Sequence, residues 1–171
     1  MTLEEIRKSN INPLVSREAY DQASERLADV LDTKKAFEQK AFILFNAYIA
    51  LSLALFGVGG AIYRGVMATL PAWPFLVAGS TLLFGAALFV WALLDKGYGS
   101  LASDPDMWLN KGTIDGDDSV VPLMLAYITF YHKNRITQSM EANNLKARLI
   151  RFGIFFGLAA HVPLLALLIH G

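Results

Sequence analysis

The residues from Ala41 to Tyr63 read AFILFNAYIALSLALFGVGGAIY, and none of these 23 positions carries a formal charge. Lys40 and Arg64 close the run on either side. At 1.5 Å of rise per residue, about 20 helical residues cross a hydrocarbon core roughly 30 Å thick. A segment in that medium must satisfy its own backbone hydrogen bonds, which a helix does. Working outward, 30 uncharged residues separate Arg64 from Asp95, and the final 20 residues after Arg151 hold only His161 and His170 as ionisable side chains. Spans are therefore expected near Ala41–Tyr63, Trp73–Leu94 and Phe152–His170.

The bulk composition agrees with this reading. Of 171 residues, 54% are hydrophobic and 18% charged, and the mean hydropathy is +0.40. A soluble helical bundle with three such helices would need a polar exterior that these residues do not supply. The expected fold class is an all-α membrane protein with three transmembrane helices and cytoplasmic juxtamembrane helices. Its regions are 1–40, a cytoplasmic amphipathic helical region; 41–94, a transmembrane hairpin; 95–151, a cytoplasmic loop and helix; and 152–171, a last transmembrane helix.

Lys plus Arg and Asp plus Glu both number 15, so the net charge is zero and nothing global favours nucleic acid. The absence of cysteine excludes a disulfide scaffold and thiolate chemistry. Forty mostly polar residues precede the first span, which distinguishes it from a signal peptide.

Charge distribution sets the expected orientation. Arg7, Lys8, Arg17, Arg26, Lys34, Lys35 and Lys40 precede the first span, whereas only Arg64 joins the first to the second. Lys96, Lys111, Lys133, Arg135, Lys146, Arg148 and Arg151 lie between the second and third. The excess of basic residues in both flanking segments places them, and the N-terminus, in the cytoplasm of a cell with the protein in its inner membrane. The uncharged run Ser119–Tyr131, SVVPLMLAYITFY, is only 13 residues long. It reads as a buried or interfacial helix; a fourth crossing would separate the two basic segments.

Asn10–Pro13 marks a break, since asparagine caps a helix and proline fits its first turn. From there a helix can run into the first span, with Ala23, Leu27, Val30, Leu31, Phe37 and Ala41 on one side. Pro71 and Pro74 begin the second span where lost donors cost least. Tyr63, Trp73 and Trp91 fall at span ends, the depth at which aromatic rings anchor. Gly97, Gly99, Pro105 and Gly112 punctuate a loop whose Asp104, Asp106, Asp115, Asp117 and Asp118 lack the ligand order of a calcium loop. Leu123, Ala126, Tyr127, Phe130, Ile136, Met140, Leu145 and Leu149 then form one side of a helix leading into the third span, available to pair with the helix before Ala41.

Inside lipid, helices associate through small residues that let backbones approach. Ala47, Ala50, Ala54, Gly57 and Ala61 form one such strip, and Gly153-Ile154-Phe155-Phe156-Gly157 supplies a GxxxG sequence. Either can pack within a subunit or between subunits, and three spans per chain favour intersubunit use of at least one. Asn46 and Ser52, with Ser80 and Thr81, are candidates for interhelical hydrogen bonds. His161 is the one ionisable side chain well inside a span, a structural hydrogen-bonding group or a gate, with Pro163 placed to disturb the backbone beside it. The three histidines are too far apart in sequence to suggest a metal centre, and no catalytic motif or cofactor signature occurs. No enzyme activity, metal or cofactor is expected.

The stretch DTKKAFEQKAFILFNAYIALSLALFG, Asp32 to Gly57, and the stretch VVPLMLAYITFYHKNRITQSMEANNLKARLIRFG, Val120 to Gly153, flank a second span and a loop. In this arrangement the chain resembles small prokaryotic multi-span membrane effectors from antiviral signalling systems. The resemblance implies a homo-oligomer in the lipid bilayer that alters membrane permeability when a cytoplasmic sensor or regulatory protein is triggered. It carries over Lys34, Lys35, Lys40 and the Lys133–Arg151 region only as juxtamembrane helix features, with no nucleotide-binding residue. The competing expectation is a non-conducting scaffold that recruits a protein partner through Leu14–Lys40 and Ser119–Arg151.

Overall fold

The computed structural model describes residues 12–66, 70–94 and 120–170. The aspartates and glycines assigned above to the loop after the second span lie outside the described residues. Four helices account for nearly all of them: α1, Pro13–Tyr63; α2, Trp73–Leu93; α3, Val120–Ala159; and α4, His161–His170. The fold is all-α, with no strand among the described residues.

Each boundary has a local cause. The Leu14 amide donates to Asn12 Oδ1 at 2.9 Å, so Asn12 caps α1 while Pro13 occupies its first turn, where a missing N–H leaves nothing unpaired. No proline follows until α1 has ended, and the helix runs unbroken for 51 residues. It closes on Gly65, whose φ is +75°. The Gly65 amide donates to Ile62 O and the Val66 amide to Ala61 O, the paired bonds of a Schellman motif, which needs a left-handed residue at that point. Pro74 sits in the first turn of α2.

From Val120 onward the uncharged run Ser119–Tyr131 forms the start of the 40-residue α3, which continues into the third apolar stretch. At the other end, α3 and α4 are parted at Ala160. Pro163 explains the break: it lacks the N–H that would bond Ala159 O, and its ring crowds that carbonyl. The Ala160 amide still donates to Phe156 O at 3.0 Å, so the interruption is a single turn.

Three helical stretches are long and apolar enough to cross a membrane: Pro13–Tyr63, Trp73–Leu93 and Val120–Ile169. In α2, 39% of the most apolar window is buried in the chain, against 11% in α1 and 17% in the last stretch. Hence α2 is the most enclosed of the three, and α1 leaves most of its apolar surface uncovered. Phe42, Ile43, Leu51, Leu53, Phe84, Leu158 and Leu168 are all more than half exposed. Apolar surface on this scale is unsuited to water and suited to acyl chains.

The contacts divide into two compact units. One contains the described parts of Met1–Lys34 and Lys96–Asn143; the other contains those of Lys35–Asp95 and Asn144–Gly171. In the second, Ala41, Tyr48, Ala78, Leu82, Ala86, Phe89, Ala92, Ile150 and Ala160 form the core. In the first, Leu27, Ile128 and Ile136 are buried.

Candidate functional site

The two small-residue strips have different surroundings. Gly153 and Gly157 are consumed within the chain. A Cβ on Gly153 would strike the Phe89 ring, and one on Gly157 would strike the Tyr48 hydroxyl. Opposite them, a Cβ on Gly85 would lie 2.9 Å from Tyr48 Cε2 and 3.2 Å from Gly153 O. The glycines are therefore notches for two aromatic side chains, which meet edge to face with centroids 5.0 Å apart. Tyr48 Oη donates to Gly153 O at 3.2 Å, which gives the buried phenol a hydrogen-bond partner. Phe84 and Phe156 add a second edge-on pair at 4.7 Å.

Ser52 makes the predicted interhelical bond: it is fully buried, and its Oγ donates to Gly79 O at 2.8 Å. Ser80 and Thr81 do not. Their hydroxyls donate to Leu76 O and Val77 O of their own helix, each at 2.8 Å, because a hydroxyl four residues along is already within reach of that carbonyl.

The α1 strip is turned away from these contacts. Ala47, Ala50, Ala54 and Gly57 are exposed, Ala61 is half-buried, and a Cβ on Gly57 would meet nothing within 4 Å. Asn46 is exposed beside them and makes no hydrogen bond among the described residues. Its amide stands about six residues, or roughly 9 Å along the helix, beyond Lys40. The buried residues of the same stretch, Tyr48, Ser52 and Gly59, recur on the other side of the helix. Thus α1 uses one face to complete its own unit and presents the other uncovered, with one polar side chain among alanines.

His161 is exposed, and its Nδ1 donates to Gly157 O at 2.9 Å. That carbonyl's own helical partner would be the His161 amide, and the ring adds a second bond at the turn where Pro163 parts α3 from α4. The bond leaves Nε2 as the ring's free nitrogen. Gly157 thus serves two side chains, Tyr48 over its Cα and His161 at its oxygen.

In the other unit, sequence reading passes over His132, which is only 2% exposed. Its ring stacks on Tyr20 with centroids 5.7 Å apart, Nδ1 lies 3.5 Å from Ser24 Oγ, and Nε2 has no hydrogen-bond partner. Burial, and then the Arg135 guanidinium, hold its pKa below the ordinary imidazole value. Only Ile128 and Ile136, four positions away on either side, hint that His132 lies on a buried side; its partners come from α1, more than a hundred residues earlier. Asn143 Nδ2 donates to Val30 O in the same unit at 2.9 Å. Among the described residues no acidic group hydrogen-bonds the His132 ring, and the Ser24 contact holds the imidazole in the packing between α1 and α3. Among the described residues, no three His, Asp or Glu side chains lie together as a metal site would require.

Comparison with known protein families, curated proteins and solved structures found no match to this chain.

Proposed function

We propose that this chain is a multi-span protein of the inner membrane, N-terminus in the cytoplasm, and that copies associate through the uncovered face of α1. The observation that carries the proposal is that Asn46 is exposed beside Ala47, Ala50, Ala54 and Gly57 within a charge-free helical stretch; on the spanning reading, lipid around that face cannot hydrogen-bond the amide. A second copy can satisfy that amide, and the small side chains allow the backbones to approach. The basic segments on both sides of the apolar helices support the orientation. The functional reading is that the assembly changes membrane permeability, as expected of the antiviral effectors the sequence resembles. That role rests on the resemblance, and activation by a cytoplasmic sensor or regulatory protein belongs to it.

The test uses the full chain in vesicles loaded with a self-quenched dye, alongside an Asn46→Leu, Ala50→Leu variant. The expected result is protein-dependent dye release that falls with the oligomer fraction in the variant, while insertion and helix content stay constant. Vesicles that remain tight around a correctly inserted oligomer would reject the permeability reading and favour the scaffold. A variant that assembles normally would reject the α1 interface. The scaffold reading draws on Leu14 and Val15, 79% and 64% exposed at the start of α1.

A further inference from the structure

Three basic residues stand within six positions at the end of the polar part of α3, and they have different surroundings. Lys146 is buried and forms an ion pair with Glu38, so its charge is neutralised within the chain. Arg148 and Arg151 are exposed, and neither has an ion-pair or hydrogen-bond partner among the described residues. Helical geometry places positions 148, 151, 152 and 155 on one side, because side chains three, four and seven apart line up. Together Arg148, Arg151, Phe152 and Phe155 line an open cleft of about 550 Å³. The two rings are 60% and 62% exposed, and Phe155 is braced edge-on by Phe156 at 6.0 Å.

The cleft therefore has a cationic end and an apolar end, and the change occurs between Arg151 and Phe152, where the uncharged C-terminal block begins. On the reading that this block enters the bilayer, the two guanidiniums lie at headgroup level and the two rings at the level of the first acyl carbons. Guanidinium forks match phosphate oxygens in pairs. Exposed phenyl rings continuous with them suit a hydrocarbon chain and have no use for a free inorganic anion. The nearest carboxylate on this side of α3 is Glu141, seven residues before Arg148, and no ion pair joins it to either arginine. We infer that the Arg148–Arg151–Phe152–Phe155 cleft binds an anionic phospholipid of the cytoplasmic leaflet, with the phosphate between the two guanidiniums and an acyl chain across the two rings. This inference rests on the spanning reading above and is independent of the α1 interface.

The experiment measures association of spin-labelled phosphatidylglycerol and spin-labelled phosphatidylcholine with the full chain in phosphatidylcholine bilayers. The wild-type protein should hold phosphatidylglycerol in preference, and Arg148→Gln, Arg151→Gln should lower that preference by about tenfold. Arg148→Lys, Arg151→Lys should retain part of it, since the charge remains and the fork is lost. An Arg17→Gln, Lys133→Gln protein, equal in net charge to the first variant, should match wild type. Preference that survives Arg148→Gln, Arg151→Gln in inserted protein would overturn the inference, as would equal loss in the Arg17, Lys133 control. Displacement of the lipid by soluble glycerol phosphate would assign the site to a free phosphate ester and overturn the lipid. Flotation with the bilayers separates the two readings: protein that fails to float removes the spanning reading and this site with it, whereas floating protein without lipid preference removes only the site.

Discussion

Replacing Gly157 with alanine tests whether the GxxxG sequence is an internal notch. The new methyl would coincide with the Tyr48 hydroxyl, so the ring must leave or the helices must part. Forcing a methyl into a packed site costs about 1–3 kcal/mol. A displaced Tyr48 also loses its bond to Gly153 O, worth about 1 kcal/mol, and its edge-on contact with Phe89, worth about 1 kcal/mol. Alanine returns about 1 kcal/mol through its better helix propensity. The net expectation is a loss of about 2–4 kcal/mol, read from reversible unfolding in mixed detergent micelles. Gly60→Ala is the matched control, because its Cβ would meet nothing within 4 Å; its stability should be unchanged or higher by up to about 1 kcal/mol. Adding Tyr48→Leu to Gly157→Ala should cost less than the sum of the two changes, since they relieve one clash. A Gly157→Ala protein as stable as wild type, with helix content intact, would refute the seating of Tyr48 over Gly157.

Two further predictions concern single residues. Above the unfolded imidazole value of about 6.5, His132 is neutral in both states and its unit has full stability; as pH falls through that value toward the lower folded one, the unfolded chain takes up a proton that the folded chain resists, and stability is lost. Hydrogen exchange around Ser24 and His132 should therefore quicken in mildly acidic buffer, and His132→Phe, which keeps the ring against Tyr20, should remove that part of the response. Gly65→Val should cost about 1–3 kcal/mol by placing a branched residue at φ +75°, with Gly65→Asn milder, both measured by unfolding.

Much of the architecture is legible in the sequence because lipid imposes its demand over whole segments: three charge-free blocks correspond to three long apolar helices, and Asn12, Pro13 and Pro74 mark helix starts by local chemistry. The α3 helix itself is legible, but its buried side is not: Met140 and Leu145, read as part of one apolar side, are exposed, and the buried positions include His132, Ser139, Asn143 and Lys146. The facing of the small-residue strips is less legible. Gly153 and Gly157 are notches only because Tyr48 and Phe89 arrive from other helices, Tyr48 from more than a hundred residues earlier in the chain, and a glycine pair carries no sign of which ring will fill it. The Ser52 hydroxyl reaches across to Gly79 while those of Ser80 and Thr81 fold back on their own helix, a difference set by the neighbour rather than by residue type. Arg148 and Arg151 look like Lys146 in sequence, yet only Lys146 finds a carboxylate, Glu38, in its own unit.

The absence of cysteine from the chain allows the α1 interface to be probed one position at a time. Single cysteines at positions 46 to 57, oxidised in native membranes, should cross-link copies at Asn46, Ala50, Ala54 and Gly57 and remain monomeric at Tyr48 and Ser52. Equal cross-linking around the helix, or dimers trapped through positions 48 and 52 instead, would contradict association through the uncovered face of α1.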